Sequence, residues 1–295
     1  MKGYIIYQSI EAKKNTEFIE KIINEGEKYS ISFEYVPYEE YQEHAEPDIV
    51  INRTRDYRTS RFYENKGVAV FNPAYLVHIG NNKYEAVKYL SEHLTYEIKS
   101  NKWAANTWFV GKQELSSLLD NEYLSRLVSN LAGSPSNDVV IKSVDGHGGN
   151  EVFLLENGAG NTEKLKDIVE KLKGHDCIVQ ERIESNSSDI RVYIVGGKIY
   201  AAVLRNGKDD FRANHSLGGS ASEYKLMSSQ KSYVMKFVEA LGGNKIGMAG
   251  IDFILTKDGK MIFNEIEEMA GSRMLYECTD YNIAADYVKW ISLFV

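Results

Sequence analysis

Short β-rich runs alternate with stretches of helical period along the whole chain, and this alternation predicts an α/β protein built of α+β lobes. Residues 4–7 read as a buried strand, and Phe18, Ile19, Ile22 and Ile23 follow at helical spacing. Residues 31–36, 48–51 and 68–71 are further strands, which gives a small lobe ending near Asn72-Pro73. Tyr84, Val87, Leu90, Leu94 and Ile98 mark a helix, residues 107–110 a strand, and Leu115, Leu118, Leu119, Leu127 and Leu131 another helix. A loop over 130–137 holds Gly133, Ser134 and Pro135. Strands at 139–142 and 152–155 flank a glycine-rich turn; a helix through Leu165, Ile168, Val169 and Leu172 and a strand at 178–181 follow.

The last third reads as two hairpins, 190–195 with 198–204 around Gly196-Gly197, and 250–256 with 260–267. Between them run a polar loop from Arg205 to about Ser222 and a helix carrying Tyr233, Phe237 and Leu241. A helix through Ile283, Tyr287, Ile291 and Phe294 closes the chain. A length of 295 residues suits two or three lobes, with boundaries expected at 1–80, 81–177 and 178–295.

The net charge of -7 argues against a nucleic-acid partner, which would want a basic face. Cys177 and Cys278 are too few and too far apart for a disulfide framework and read as reduced thiols. The first apolar run is too short for a signal peptide, and no stretch approaches the about 20 apolar residues of a membrane helix. A cytoplasmic protein with no membrane partner is the expectation.

The second hairpin carries the sharpest chemical signal. If Asp258-Gly259 forms a two-residue turn, Thr256 faces Met261, Leu255 faces Ile262, and Asp252 faces Glu265. Glu267, two residues on, shares that face. Three carboxylates then converge, and like charges in a sheet repel unless something compensates. A hard divalent cation with oxygen ligands would do so; a solvated acidic edge is the alternative. Around Gly196-Gly197, the same counting puts Arg191 opposite Ala202 and sends Arg205 to the other face, unless a bulge intervenes or the strand has ended.

A second signal is Lys142, closing an apolar strand, followed by Gly146, His147, Gly148 and Gly149. Glycine lets backbone N–H groups approach phosphate oxygens, and lysine adds a point charge. A tight hairpin without a ligand explains the glycines equally well, and His147 either meets a phosphate or faces solvent. The loop is neither a Walker loop nor a dinucleotide fingerprint. Further polar groups are dense at Gln180-Glu181-Arg182-Ile183, Asp189-Ile190-Arg191, Arg205, Asp210-Phe211-Arg212-Ala213-Asn214-His215 and Gly218-Gly219. In the first lobe, Arg53, Arg55 and Arg58 follow a strand end; Arg53 or Arg55 reads an anionic substrate or serves a structural salt bridge.

In order and spacing these residues resemble the ATP-grasp enzymes, most closely the RimK-type glutamate ligases, from about Asn72 onward and in the first lobe by position. The resemblance implies an ATP-grasp fold behind an N-terminal Rossmann-like lobe, with ATP and magnesium as cofactors, two ions, and manganese as the alternative. It implies that Lys83 and Lys142 touch phosphates, and that the loop of Gly146, His147, Gly148 and Gly149 is a lid. Glu181 and Ile183 would flank adenine, with the main chain of Arg182 and Ile183 reading its edge. Asp189 would bind ribose, with Arg191 beside it in the nucleotide site. Arg205 and Lys142 would serve the acyl-phosphate region, Asn214 the phosphates or metal, and Asp252, Glu265 and Glu267 the metal.

The chain departs from the family pattern at Glu265-Ile266-Glu267, where Glu-x-Asn is common, and at Glu268-Met269-Ala270-Gly271-Ser272-Arg273, which replaces Asn-x-Ser-Pro-Gly. The implied reaction activates a carboxylate as an acyl phosphate for attack by an amine or a thiol, on small molecules or on a peptide or carrier-protein acceptor. A homo-oligomer is compatible with it. The rival readings are a phosphotransferase of the same fold and a non-catalytic nucleotide-binding protein.

Overall fold

The computed structural model describes residues 1–131, 138–156, 161–207 and 219–294. Asn214, with its neighbours from Asp210 to Gly218, and most of the loop expected at 130–137 lie outside the described residues.

The first lobe is a parallel sheet of β1 (Lys2–Tyr7), β2 (Ser32–Pro37), β3 (Ile49–Asn52) and β4 (Ala69–Phe71), in the order β2-β1-β3-β4. The inner strands β1 and β3 are mostly apolar because both of their faces are covered, whereas the edge strand β2 exposes Ser32 and Glu34. Tyr4, Ile6 and Val50 pack with Tyr41 and Tyr63 on one face. Ile5, Tyr7 and Ile51 pack with Phe18 and Ile22 on the other, where the helix Ile283–Ile291 returns from the far end of the chain.

A second, antiparallel sheet consists of β5 (Thr107–Val110), β6 (Val139–Ser143), β7 (Val152–Leu155) and β8 (Cys177–Glu181), in the order β5-β8-β6-β7. The single leucine-rich helix expected here is two elements, a 3₁₀ turn Leu115–Leu119 and a helix Asn121–Asn130. Asp120 separates them: its carboxylate accepts from the Tyr123 N–H at 2.9 Å and starts a new helix. The leucines of both elements still pack with Val110, Ile141 and Val179 in one cluster, because the break keeps them on one side.

The third sheet is antiparallel, with β9 (Ser185–Val195), β10 (Lys198–Asn206), β11 (Ser220–Glu223), β12 (Met248–Thr256) and β13 (Met261–Glu267) in the order β11-β10-β9-β12-β13. Strand β11 ends the stretch expected to be a polar loop; Ser220–Glu223 pairs with β10 instead. Ile190, Val192 and Ile194 turn one face of β9 toward Val234 and Phe237 of the helix Ser228–Ala240, and toward Ala86 and Leu90 of the helix Lys83–His93. Strand alternation therefore turns Asp189 and Arg191 to the opposite face.

Candidate active site

Two β-bulges decide what this face of the third sheet presents. The turn between β12 and β13 is a three-residue loop of Lys257, Asp258 and Gly259, closed by the Thr256 N–H donating to Lys260 C=O at 2.9 Å. Gly259, at φ 81°, supplies the left-handed residue such a loop needs. The pairs next to it are Leu255 with Met261 and Phe253 with Phe263, one residue off the register expected from a two-residue turn. A register shift beyond Phe253 then leaves Asn264 as the extra residue and restores Asp252 opposite Glu265 and Gly250 opposite Glu267. The expected facing pair is present because two departures cancel.

The other bulge lies in β10 at Tyr200, between the pairs Ile199–Ile194 and Ala201–Tyr193. It moves Val203, not Ala202, opposite Arg191, and brings Arg205 opposite Asp189 on the same face. The geometry that follows is a run of alternating charges. Arg205 donates to both Asp189 oxygens at 2.6 Å and to Asp252 at 2.6 Å. Arg191 donates to Asp252 at 2.8 and 2.7 Å and lies 3.6 Å from Glu267, which is 4.0 Å from Arg55. Burial alone would raise the Asp252 pKa, but the two guanidinium groups outweigh it and hold the carboxyl at about 2. Burial pushes Glu267 above the usual carboxylate range against the opposing charge of Arg191.

A cleft opens between the second and third sheets. Lys83, Lys142, Gly146, Gly148, Gly149, Glu181, Arg182, Ile183, Asp189 and Glu265 line it. Asn82 caps the helix that begins with Lys83, accepting from the Tyr84 and Glu85 N–H groups at 3.0 Å. The Lys83 ammonium donates to Gly146 C=O and lies 4.0 Å from Glu265. Lys142 is buried, its pKa is pushed down to about 8 by that burial, and it donates to Asn264 Oδ1 at 3.2 Å. His147 is exposed; packing around its ring and then the charges of Arg55 and Lys83 lower its pKa.

At the other end, Glu181 is buried and ion-paired with Lys102, a residue without a motif around it. The Arg182 N–H donates to Asp138 C=O at 3.1 Å, so this one of the backbone groups expected to read a purine edge is already engaged. Arg182 also donates to the Asp138 carboxylate at 2.8 Å, which fixes the crossing into β9.

A family model described as the RimK-like ATP-grasp domain matches residues 86–291. The chain belongs to that family. It is an ATP-grasp ligase. The MG011 homolog of Mycoplasma pneumoniae, an uncharacterized protein, is 26% identical over 98% of this chain and 91% of its own length. A probable alpha-L-glutamate ligase of Maridesulfovibrio salexigens is 31% identical, over 58% of this chain and 54% of that protein, so the match spans about half of the relative. Among solved structures, D-alanine–D-alanine ligase from Bacillus anthracis, complexed with ATP, superposes with a TM-score of 0.69 at 15% identity, over 99% of this chain and 97% of that one. No helix among the described residues is long and apolar enough to cross a membrane.

ATP-grasp ligases use ATP, and a divalent metal is typical of the family. The donor set here fits a hard cation unevenly. Glu265 and Glu267 are carboxylates with 29% and 20% of their side chains exposed, and their ion pairs are no closer than 3.6 Å. Asp252 is fully buried and gives its oxygens to Arg191 and Arg205. Among the described residues, the three-residue group whose ligand atoms lie within 4.8 Å of one another is Asp145, Glu151 and His175, not the trio on β12 and β13. Asn264, which joins the cleft and holds Lys142, had no sequence signal of its own. Only the bulge turns it and Glu265 into the same cleft.

Proposed function

We propose that this ATP-grasp ligase transfers the γ-phosphoryl group of ATP to a substrate carboxylate and joins the acyl phosphate to an amine of an amino acid or peptide. The observation that carries the reading is the convergence of Lys83, Lys142, Glu181, Asp189 and Glu265 on one cleft. Two ammonium groups suit the charge of a triphosphate, and ion-paired acids in the same cleft suit the polar groups of a nucleoside.

Adenine sits against the Glu181–Ile183 crossing and the ribose near Asp189. Lys83 and Lys142 face the phosphates, and the 146–149 loop closes over them and excludes water from the acyl phosphate. When bound, a divalent cation neutralises phosphate charge. Glu265 and Glu267 would hold it, and Asp252 would join them only by giving up an arginine; magnesium, as two ions, is the expected metal. Arg205 and Arg191 supply fixed positive charge beside the reacting end. Positioning and charge neutralisation suffice, without a protein nucleophile.

The test is ADP release from Mg-ATP over a panel of amino acids and short peptides, with mass spectrometry of the product. The expected outcome is an amide-linked product formed together with ADP and phosphate. A phosphorylated product without free phosphate would make the protein a kinase. Unchanged turnover in a Glu265→Gln, Glu267→Gln double variant would remove the cation site. Absence of any rise in melting temperature with Mg-ATP would end the nucleotide reading.

A further inference from the structure

Three arginines lie in the segment that leaves β3, and the structure gives two of them structural partners. Arg53 is buried, donates to Tyr7 Oη at 3.0 Å, and donates to the Met269 and Ala270 carbonyls at 3.3 and 3.1 Å. Arg58 donates to its own turn's Asp56 at 2.9 and 3.1 Å. Arg55 is different. Its Nε is buried and meets no hydrogen-bond partner, and the ion partner it has, Glu267, stands at 4.0 Å. A charge-assisted guanidinium–carboxylate hydrogen bond is typically about 2.8 Å, so Arg55 is held near an acid without engaging it.

The backbone around Arg55 is held tightly. Asn52 Oδ1 accepts from the Thr54 N–H at 3.0 Å and from Thr54 Oγ1 at 2.7 Å. Thr54 Oγ1 accepts from the Asp56 N–H at 3.1 Å, and Asn52 Nδ2 donates to Asp56 C=O at 3.1 Å. This network fixes Arg55 in the left-handed region, at φ 62°, which a side chain with a Cβ seldom adopts. Relaxing the turn would cost its hydrogen bonds, so the arginine stays aimed where the turn sends it.

It is aimed at the acidic end of β13, beside the cleft. Arg55 approaches Glu267 at the end of β13, and its charge is felt by His147 of the 146–149 loop and by Glu268. Beside it, Glu268 Oε2 is a second buried atom without a hydrogen-bond partner. Glu267 already lies 3.6 Å from Arg191, so one carboxylate stands between two guanidinium groups.

We propose that Arg55 binds a substrate carboxylate that is not the one phosphorylated, such as the α-carboxylate of an amino acid, in place of Glu267. This rests on the ligase reading above. The planar fork pairs with a carboxylate through two parallel hydrogen bonds, which lysine cannot reproduce. A non-reacting carboxylate keeps its charge through the reaction, so the contact is equally strong before and during phosphoryl transfer. Its loss therefore falls on KM rather than kcat.

The test uses the full chain, Mg-ATP, and amino acids paired with their α-amides, for Arg55→Gly and Arg55→Lys. Glycine adopts the left-handed backbone without strain, so Arg55→Gly holds the wild-type melting temperature or exceeds it. The expected result is a 10- to 100-fold rise in KM for the amino acid with Arg55→Gly, and loss of the preference for acid over amide. Arg55→Lys falls between. Preference for the acid retained in Arg55→Gly, or a rise in the KM for ATP instead, overturns the proposal. It is also overturned if no amino acid drives ADP release while Mg-AMPPNP still raises the melting temperature. Failure of Mg-AMPPNP to stabilise the wild type removes the ligase reading itself.

Discussion

Asp252 accepts hydrogen bonds from Arg191 at 2.8 and 2.7 Å and from Arg205 at 2.6 Å, so one fully buried carboxylate serves two buried guanidinium groups. Removing it leaves Arg191 with Glu267 at 3.6 Å and Arg205 with Asp189 alone, so the buried cluster loses its central carboxylate. Asp252→Ala is expected to cost about 3–5 kcal/mol, read as a fall in the urea midpoint.

The same three groups set an acid response. The Asp252 pKa lies at about 2, below its ordinary 3.8, because the arginines outweigh burial. Its contribution is therefore complete above pH 3.8 and is lost as the pH falls toward 2. Urea titrations at pH 6 and pH 3 are expected to show a loss in the wild type on the order of 1–2 kcal/mol that Asp252→Asn lacks.

Lys142 works in the opposite sense. Burial pushes its pKa from 10.5 to about 8, so the folded chain binds fewer protons than the unfolded chain between those values. Stability rises with pH across that window, and at neutral pH the buried ammonium is a cost. Lys142→Met is expected to gain on the order of 1–3 kcal/mol without nucleotide and to lose most of the stabilisation that Mg-ATP confers. Melting curves with and without Mg-ATP read both effects.

Arg53 ties the first lobe to the segment after β13 through the Met269 and Ala270 carbonyls. Arg53→Met keeps much of the packing and removes the donors. The expected cost is about 2–4 kcal/mol, with faster hydrogen exchange at residues 269–271 as the local signature.

Phe237 is fully buried, edge-on to Phe253 at 5.3 Å and stacked on Phe263 at 5.7 Å between ring centroids. Phe237→Ala opens a cavity behind the sheet that carries Asp252. The expected loss is about 3–5 kcal/mol, measured by thermal unfolding, with no change in the side chains of the cleft.

Much of the fold was legible because its signals are local. Period-two alternation put Ile190, Val192 and Ile194 on one face and Asp189 and Arg191 on the other. Lys142 and the glycines after it were readable as a strand end and a turn. Leu115 to Leu131 misled in one respect: their helical spacing continues across Asp120, whose cap breaks the helix without moving the apolar side.

The register of the site was a different matter. A bulge inserts one residue and leaves no periodic trace, yet it reverses which face every later residue takes. Tyr200 is why Arg205 meets Asp189 and Asp252, and Asn264 is why Glu265 faces Asp252 despite a three-residue turn. Arg53 and Arg55 differ in the same way: two arginines two residues apart, one spent on carbonyls more than 200 positions away and one left without a hydrogen-bond partner at Nε.

What the sequence determined by itself was therefore most of the strands and helices, their apolar faces, and the residue types available for phosphate, carboxylate and cation. Only the tertiary structure decided which of those charges meet. Side-chain periodicity is a property of each strand, whereas register and ion pairing are settled by neighbours distant along the chain.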